Sequence, residues 1–181
     1  MVNHDHDING VVIADTRYKD LKKQVLKNGE SIPTLKKYLK EGKKVKDLKL
    51  IVELKTPHSK ETNLKLVQKT LDLVKSLHLE SQVEYIAFSL DICKLLKQLN
   101  PNAKVQYLNG DLSPEEIKTL GIDGIDYHYS VFLEKHPTWL QEAKKLGLIT
   151  NTWTVNSKEV FEKLKLQGVD FVTTDIPDVL K

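Results

Sequence analysis

At 181 residues, with 40% hydrophobic and 29% charged content, the chain has the make-up of one globular domain with a sizeable core. The 28 basic and 25 acidic residues leave a net charge of only +3, and aromatic content is 7%, so neither a strong basic surface nor a base-stacking platform is expected. A single cysteine, Cys93, excludes an internal disulfide, and no apolar run approaches the roughly 20 residues of a membrane span.

Residues 1–49 are irregular in pattern. Val11 to Ala14 reads as a short strand, and Leu35 to Leu39 as a helix led in by Ile32-Pro33-Thr34. The densest basic run, Lys36, Lys37, Lys40, Lys43 and Lys44, reads as a solvated helix and loop. From residue 50 short apolar runs alternate with longer amphipathic stretches, the rhythm of repeated βα units on a parallel sheet. Leu50 to Leu54 is the first such strand, and Leu64, Val67, Leu71, Val74 and Leu77 then mark one stripe of a helix. Tyr85 to Phe88 is the second strand, with its helix carried by Ile92, Leu95, Leu96 and Leu99; Cys93 lies among these positions and reads as a buried thiol.

Val105 to Leu108 is the third strand. Ser113-Pro114-Glu115-Glu116 then starts a helix, with serine capping, proline in the first turn and Glu116 closing a capping box; Gly121 suits its end. Gly124 to Ser130 is the fourth strand, followed by a helix through Trp139, Leu140 and Ala143 that stops near Gly147. Leu148 to Val155 is the fifth strand, a helix follows from Asn156 to near Gly168, and Val169 to Thr174 is the sixth.

An α/β fold with about six βα units is the result. A (β/α)₈ TIM barrel needs eight strands and typically about 250 residues, so two strands, on the order of 70 residues, are unaccounted for. An incomplete barrel with its first two strands missing is preferred over an open sheet, and its two edges suit self-association. The expected organisation is a single partial domain over 1–181, with 1–49 as an excursion and 50–181 as the six units.

Alternation on the first βα strand puts Ile51, Glu53 and Lys55 on one face. A carboxylate and an ammonium at the C-terminal end of a barrel strand lie where barrel active sites form. Glu53 suits a hard cation such as Mg²⁺ or Ca²⁺ and Lys55 a phosphate oxygen; a structural Glu-Lys pair is the plainer alternative. His4-Asp5-His6-Asp7 reads equally as an acid/base histidine beside a carboxylate and as an adventitious metal-binding terminus. Trp153 shares a face with Asn151 and either packs against substrate or belongs to the core. His128 can reach the pocket, but a core histidine is the preferred reading. Asp111 and Asp175 follow strands at the same rim, Asp175 equally as a turn residue.

His4-Asp5, Ile32-Pro33-Thr34-Leu35, Glu53-x-Lys55, Trp153-Thr154-Val155-Asn156 and Thr174-Asp175-x-Pro177, in that order, resemble the motif set of glycerophosphodiester phosphodiesterases. The resemblance implies hydrolysis of glycerophosphodiesters to sn-glycerol 3-phosphate and an alcohol. It implies a divalent metal held by three carboxylates, two proton-exchanging histidines and a lysine on the phosphate. Carried over by position, His4 is one acid/base residue, Glu53 a metal ligand, Lys55 the phosphate contact and Trp153 a substrate contact. The family's His-Arg-Gly and Glu-x-Asp motifs do not occur in these residues, so the resemblance also implies a truncated chain with impaired activity alone, or a non-catalytic phosphate- or partner-binding remnant. The ligand is expected to be a small glycerophosphodiester and not nucleic acid. Compartment stays open, cytoplasmic as the chain stands or exported if a signal peptide has been lost.

Overall fold

The computed structural model describes residues 1–56 and 59–180. Their contacts group into two compact units, one comprising 1–50 and 72–82, the other 51–56, 59–71 and 83–180.

The first unit opens with a hairpin of β1 (Asp7–Ile8) and β2 (Val11–Val12), antiparallel with Ile8 opposite Val11. Asn9 and Gly10 both have positive φ, 53° and 79°, as a two-residue turn of matching twist requires. Sequence reading found β2 but not β1, although Asn-Gly between Ile8 and Val11 is the local signal for a hairpin. Ile8, Leu21 and Ile32 form a small core, with Met1, Val11, Ile13 and Leu26 against it. A short helix α1 (Tyr18–Leu21) precedes α2 (Leu35–Gly42), whose N-cap Thr34 accepts from the Lys37 amide at 3.2 Å. Gln82 donates to the Gly42 and Val45 carbonyls and Lys49 to that of Ser81, which staples the end of α2 to residues 81–82.

The second unit carries a parallel sheet. Its strands are β3 (Leu50–Glu53), β4 (Val83–Ala87), β5 (Lys104–Tyr107), β6 (Gly124–His128), β7 (Ile149–Trp153) and β8 (Phe171–Val172), hydrogen-bonded in that order. Between them run α3 (Lys60–Ser76), α4 (Leu90–Leu99), α5 (Pro114–Thr119), a π-helix (Val131–Lys135) with α6 (Trp139–Lys145), and α7 (Lys158–Leu166). Each strand is added on the same side of its predecessor, and the order never reverses. A doubly wound sheet reverses at a switch point; a sheet that keeps adding strands in sequence order is part of a βα barrel. The incomplete-barrel expectation is therefore met.

The outer face of the sheet is sealed by helices. Val83, Tyr85, Ala87, Val105, Tyr107, Ile125 and Tyr127 are buried beneath Ile92, Leu96, Ile117, Phe132, Leu140 and Leu164. Cys93 is wholly buried there, and burial pushes its thiol up to about 12, which suits a packing role. The capping box at Ser113 and Glu116 is complete, with the Glu116 carboxylate accepting from the Ser113 amide at 2.8 Å. Two expectations shift. The fourth strand stops at His128 where the chain enters the π-helix, and the sixth is only two residues long.

Candidate functional site

The inner face of the sheet is built differently from the outer one. Strand alternation and the parallel register place Glu84 on β4, Gln106 on β5, Asp126 on β6 and Asn151 on β7 on one face, with Asp126 directly opposite Asn151. All four are buried polar side chains. Gln106 donates to Glu84 at 3.1 Å, while Gln106 Oε1 and Asp126 Oδ1 have no hydrogen-bond partner among the described residues. Burial, and secondly the negative charge of Glu53, push the Asp126 carboxyl from its ordinary value of 3.8 up to about 7. Sequence reading passed over Asp126, though its offset of two from His128 on one strand carried the signal.

Glu53 ends β3 and Lys55 follows, and the two make an ion pair at 2.8 Å. Both are partly buried, with side-chain exposures of 23% and 29%. They thus stay reachable by a ligand while exchanging much of their water for each other. Trp153 ends β7 opposite His128 of β6. Its indole N–H donates to the Asp126 carbonyl at 2.9 Å, and its ring meets Phe88 at 5.6 Å and His128 at 5.2 Å, both edge-on. Hydrogen bond and ring contacts together fix one rotamer, so Trp153 presents a rigid apolar wall at the C-terminal strand ends.

The two late motifs prove to be one structure. Asn156 Oδ1 accepts from the Thr174 hydroxyl and the Asp175 amide, each at 3.0 Å, and its amide donates to the Asp175 carboxylate at 2.8 Å. Asp175 is accordingly bound in the turn after β8. Asp111 also holds a loop, accepting from the Tyr107 hydroxyl at 2.9 Å. In the first unit, His4 Nδ1 lies 2.8 Å from Asp5 Oδ1, and both side chains are exposed.

A hard cation is held by several oxygen ligands. Glu53 offers carboxylate oxygens, and a divalent cation would relieve the repulsion between its charge and the Asp126 carboxyl. Among the described residues no group of three His, Cys, Asp or Glu side chains is assembled for a metal. Glu53 alone could hold such a cation only as one ligand of several.

The site so described is a parallel βα sheet with a Glu-Lys pair at the C-terminal end of β3. The sequence profile of the glycerophosphoryl diester phosphodiesterase family matches residues 1–179, and the chain belongs to that family of phosphoric diester hydrolases. A glycerophosphodiester phosphodiesterase from Parabacteroides distasonis is 43% identical, with a TM-score of 0.95, over 98% of this chain and 74% of its own. A Silicibacter pomeroyi structure is 22% identical, with a TM-score of 0.81, over 91% of this chain and 66% of its own. An Oleispira antarctica phosphodiesterase, solved in complex with the product sn-glycerol-3-phosphate, is 20% identical, with a TM-score of 0.75, over 93% of this chain and 70% of its own. The last two show likeness of fold. No curated protein sequence matches the chain.

Proposed function

We propose that the site at Glu53, Lys55 and Trp153 binds a glycerophosphodiester and serves its hydrolysis to sn-glycerol 3-phosphate and an alcohol. The observation that carries this reading is the partly buried Glu53–Lys55 pair at the end of β3, in a chain of this family. The sn-glycerol-3-phosphate bound by the Oleispira antarctica enzyme supports the product class. Lys55, a compact cation, would hold a phosphate oxygen, and Glu53 would serve as an oxygen ligand for Mg²⁺ or Ca²⁺. Such a cation supplies charge neutralisation of the phosphodiester when bound. Trp153 would pack against the carbon side of the glycerol. By motif position His4 matches the family's acid/base histidine.

These 181 residues hold neither His-Arg-Gly nor Glu-x-Asp, and turnover by a protein of these residues alone is expected to be weak. The same observation favours a second reading, a phosphate-ligand-binding protein that does not turn over. Activity on glycerophosphocholine and glycerophosphoethanolamine with Mg²⁺ or Ca²⁺ separates the two. Loss of about 10²–10³-fold in Glu53→Ala and Lys55→Met supports the enzyme. Binding of sn-glycerol 3-phosphate with no turnover by the folded chain supports the second reading. Turnover that survives both substitutions refutes the site.

Self-association belongs to the same proposal. The end strands β3 and β8 each have one ladder partner among the described residues, which leaves backbone groups open to pairing with another chain.

A further inference from the structure

His128 is fixed in a single tautomer by its own strand end. The Ser130 backbone N–H donates to His128 Nδ1 at 3.3 Å, and the Ser130 hydroxyl lies 2.8 Å from the same nitrogen. An amide proton can only be donated, so Nδ1 carries its lone pair there and the ring proton sits on Nε2. The ring is half-buried, edge-on to Trp153 at 5.2 Å and against Tyr129 at 4.3 Å. Among the described residues Nε2 has no hydrogen-bond partner. A neutral N–H donor is thus held rigidly beside the Trp153 and Phe88 rings, at the last residue of β6.

We propose that His128 is a substrate-orienting residue whose Nε2–H donates to a hydroxyl oxygen of the glycerol moiety. This rests on the phosphodiesterase reading above and adds to it how the alcohol end is recognised. A phosphate dianion calls for cationic donors such as Lys55, whereas an uncharged donor set among aromatic rings matches an uncharged polyol, carbons on the rings and hydroxyl on the N–H.

The test compares sn-glycerol 3-phosphate with ethyl phosphate, which keeps the phosphate and lacks the hydroxyls, by calorimetry in the presence of Mg²⁺ or Ca²⁺. His128→Leu should weaken sn-glycerol 3-phosphate by about tenfold, the scale of one hydrogen bond, and leave ethyl phosphate within about twofold. His128→Gln, whose amide reproduces the Nε2 donor, should stay within about threefold of wild type. Equal loss for both ligands, or no loss for either, overturns the proposal. Nitrogen-15 NMR of the wild-type ring guards against a variant that fails to fold. A proton on Nε2, with that signal shifted by sn-glycerol 3-phosphate and not by ethyl phosphate, is the expected result. A proton on Nδ1, or equal shifts, overturns it. A wild-type chain that binds both ligands equally refutes hydroxyl recognition and leaves the phosphate reading standing; one that binds neither removes the reading underneath.

Discussion

Asp126 is a carboxyl group kept almost dry, with one oxygen unpartnered among the described residues and the charge of Glu53 acting on it. Below its ordinary value of 3.8 both folded and unfolded chains hold the proton; between there and about 7 the folded chain keeps a proton that the unfolded chain releases. Stability from this group is therefore present at low pH and is lost as pH rises through about 7. Asp126→Asn, which cannot ionise, should gain about 1–3 kcal/mol over wild type at pH 8, and the gain should shrink toward pH 4. Urea titrations of both proteins across that range check the sign. His128 and Asp126 share one strand face, yet one looks reachable in the sequence and the other goes unnoticed. Alternation says which face a side chain takes, and it does not say which carboxyl will lie near another strand's charge.

Elements follow local chemistry closely where the signal is short-range. Ser113 and Glu116 stand three apart and close their box as read, a device worth about 1 kcal/mol. Gly121 and Gly147 end their helices in the left-handed conformation, at φ 69° and 68°. Where two strands must agree, the sequence says less. A Cβ on Gly124 would stand 2.5 Å from the Ile149 carbonyl oxygen and 2.8 Å from Ile149 Cβ, both on the neighbouring strand. Gly124→Ala should therefore cost about 1–3 kcal/mol, because a backbone oxygen in the β6–β7 ladder cannot step aside cheaply. A lowered thermal midpoint with unchanged secondary structure is the expected result. The π-helix after His128 also escaped pattern reading. Its apolar Val131, Phe132 and Leu133 continue a strand-like run, yet they coil, with Val131 and Phe132 buried.

For the molecule as a whole the strand order is the decisive fact. Six strands laid down in sequence order leave β3 and β8 at the ends of the sheet, with the Phe171 side chain of β8 exposed. Proposed pairing through these ends predicts a mass that rises with concentration in light scattering. A constant monomer mass at high concentration rejects it. No helix among the described residues is long and apolar enough to cross a membrane.

The sequence by itself determined the βα rhythm, the positions of the six strands within a few residues, the Glu53–Lys55 pairing on one face and the family. These depend on side-chain periodicity and on residues close in the chain, so they survive without coordinates. Tertiary structure alone decided that Asn156 binds Thr174 and Asp175, that Trp153 leans on Phe88 and His128, and that Asp126 feels Glu53. Each joins groups brought together by neighbouring strands or by the curl of the sheet. Hydrogen bonds, ring contacts and charge act over a few ångströms of space, and periodicity along one strand carries no record of which distant strand will supply the partner.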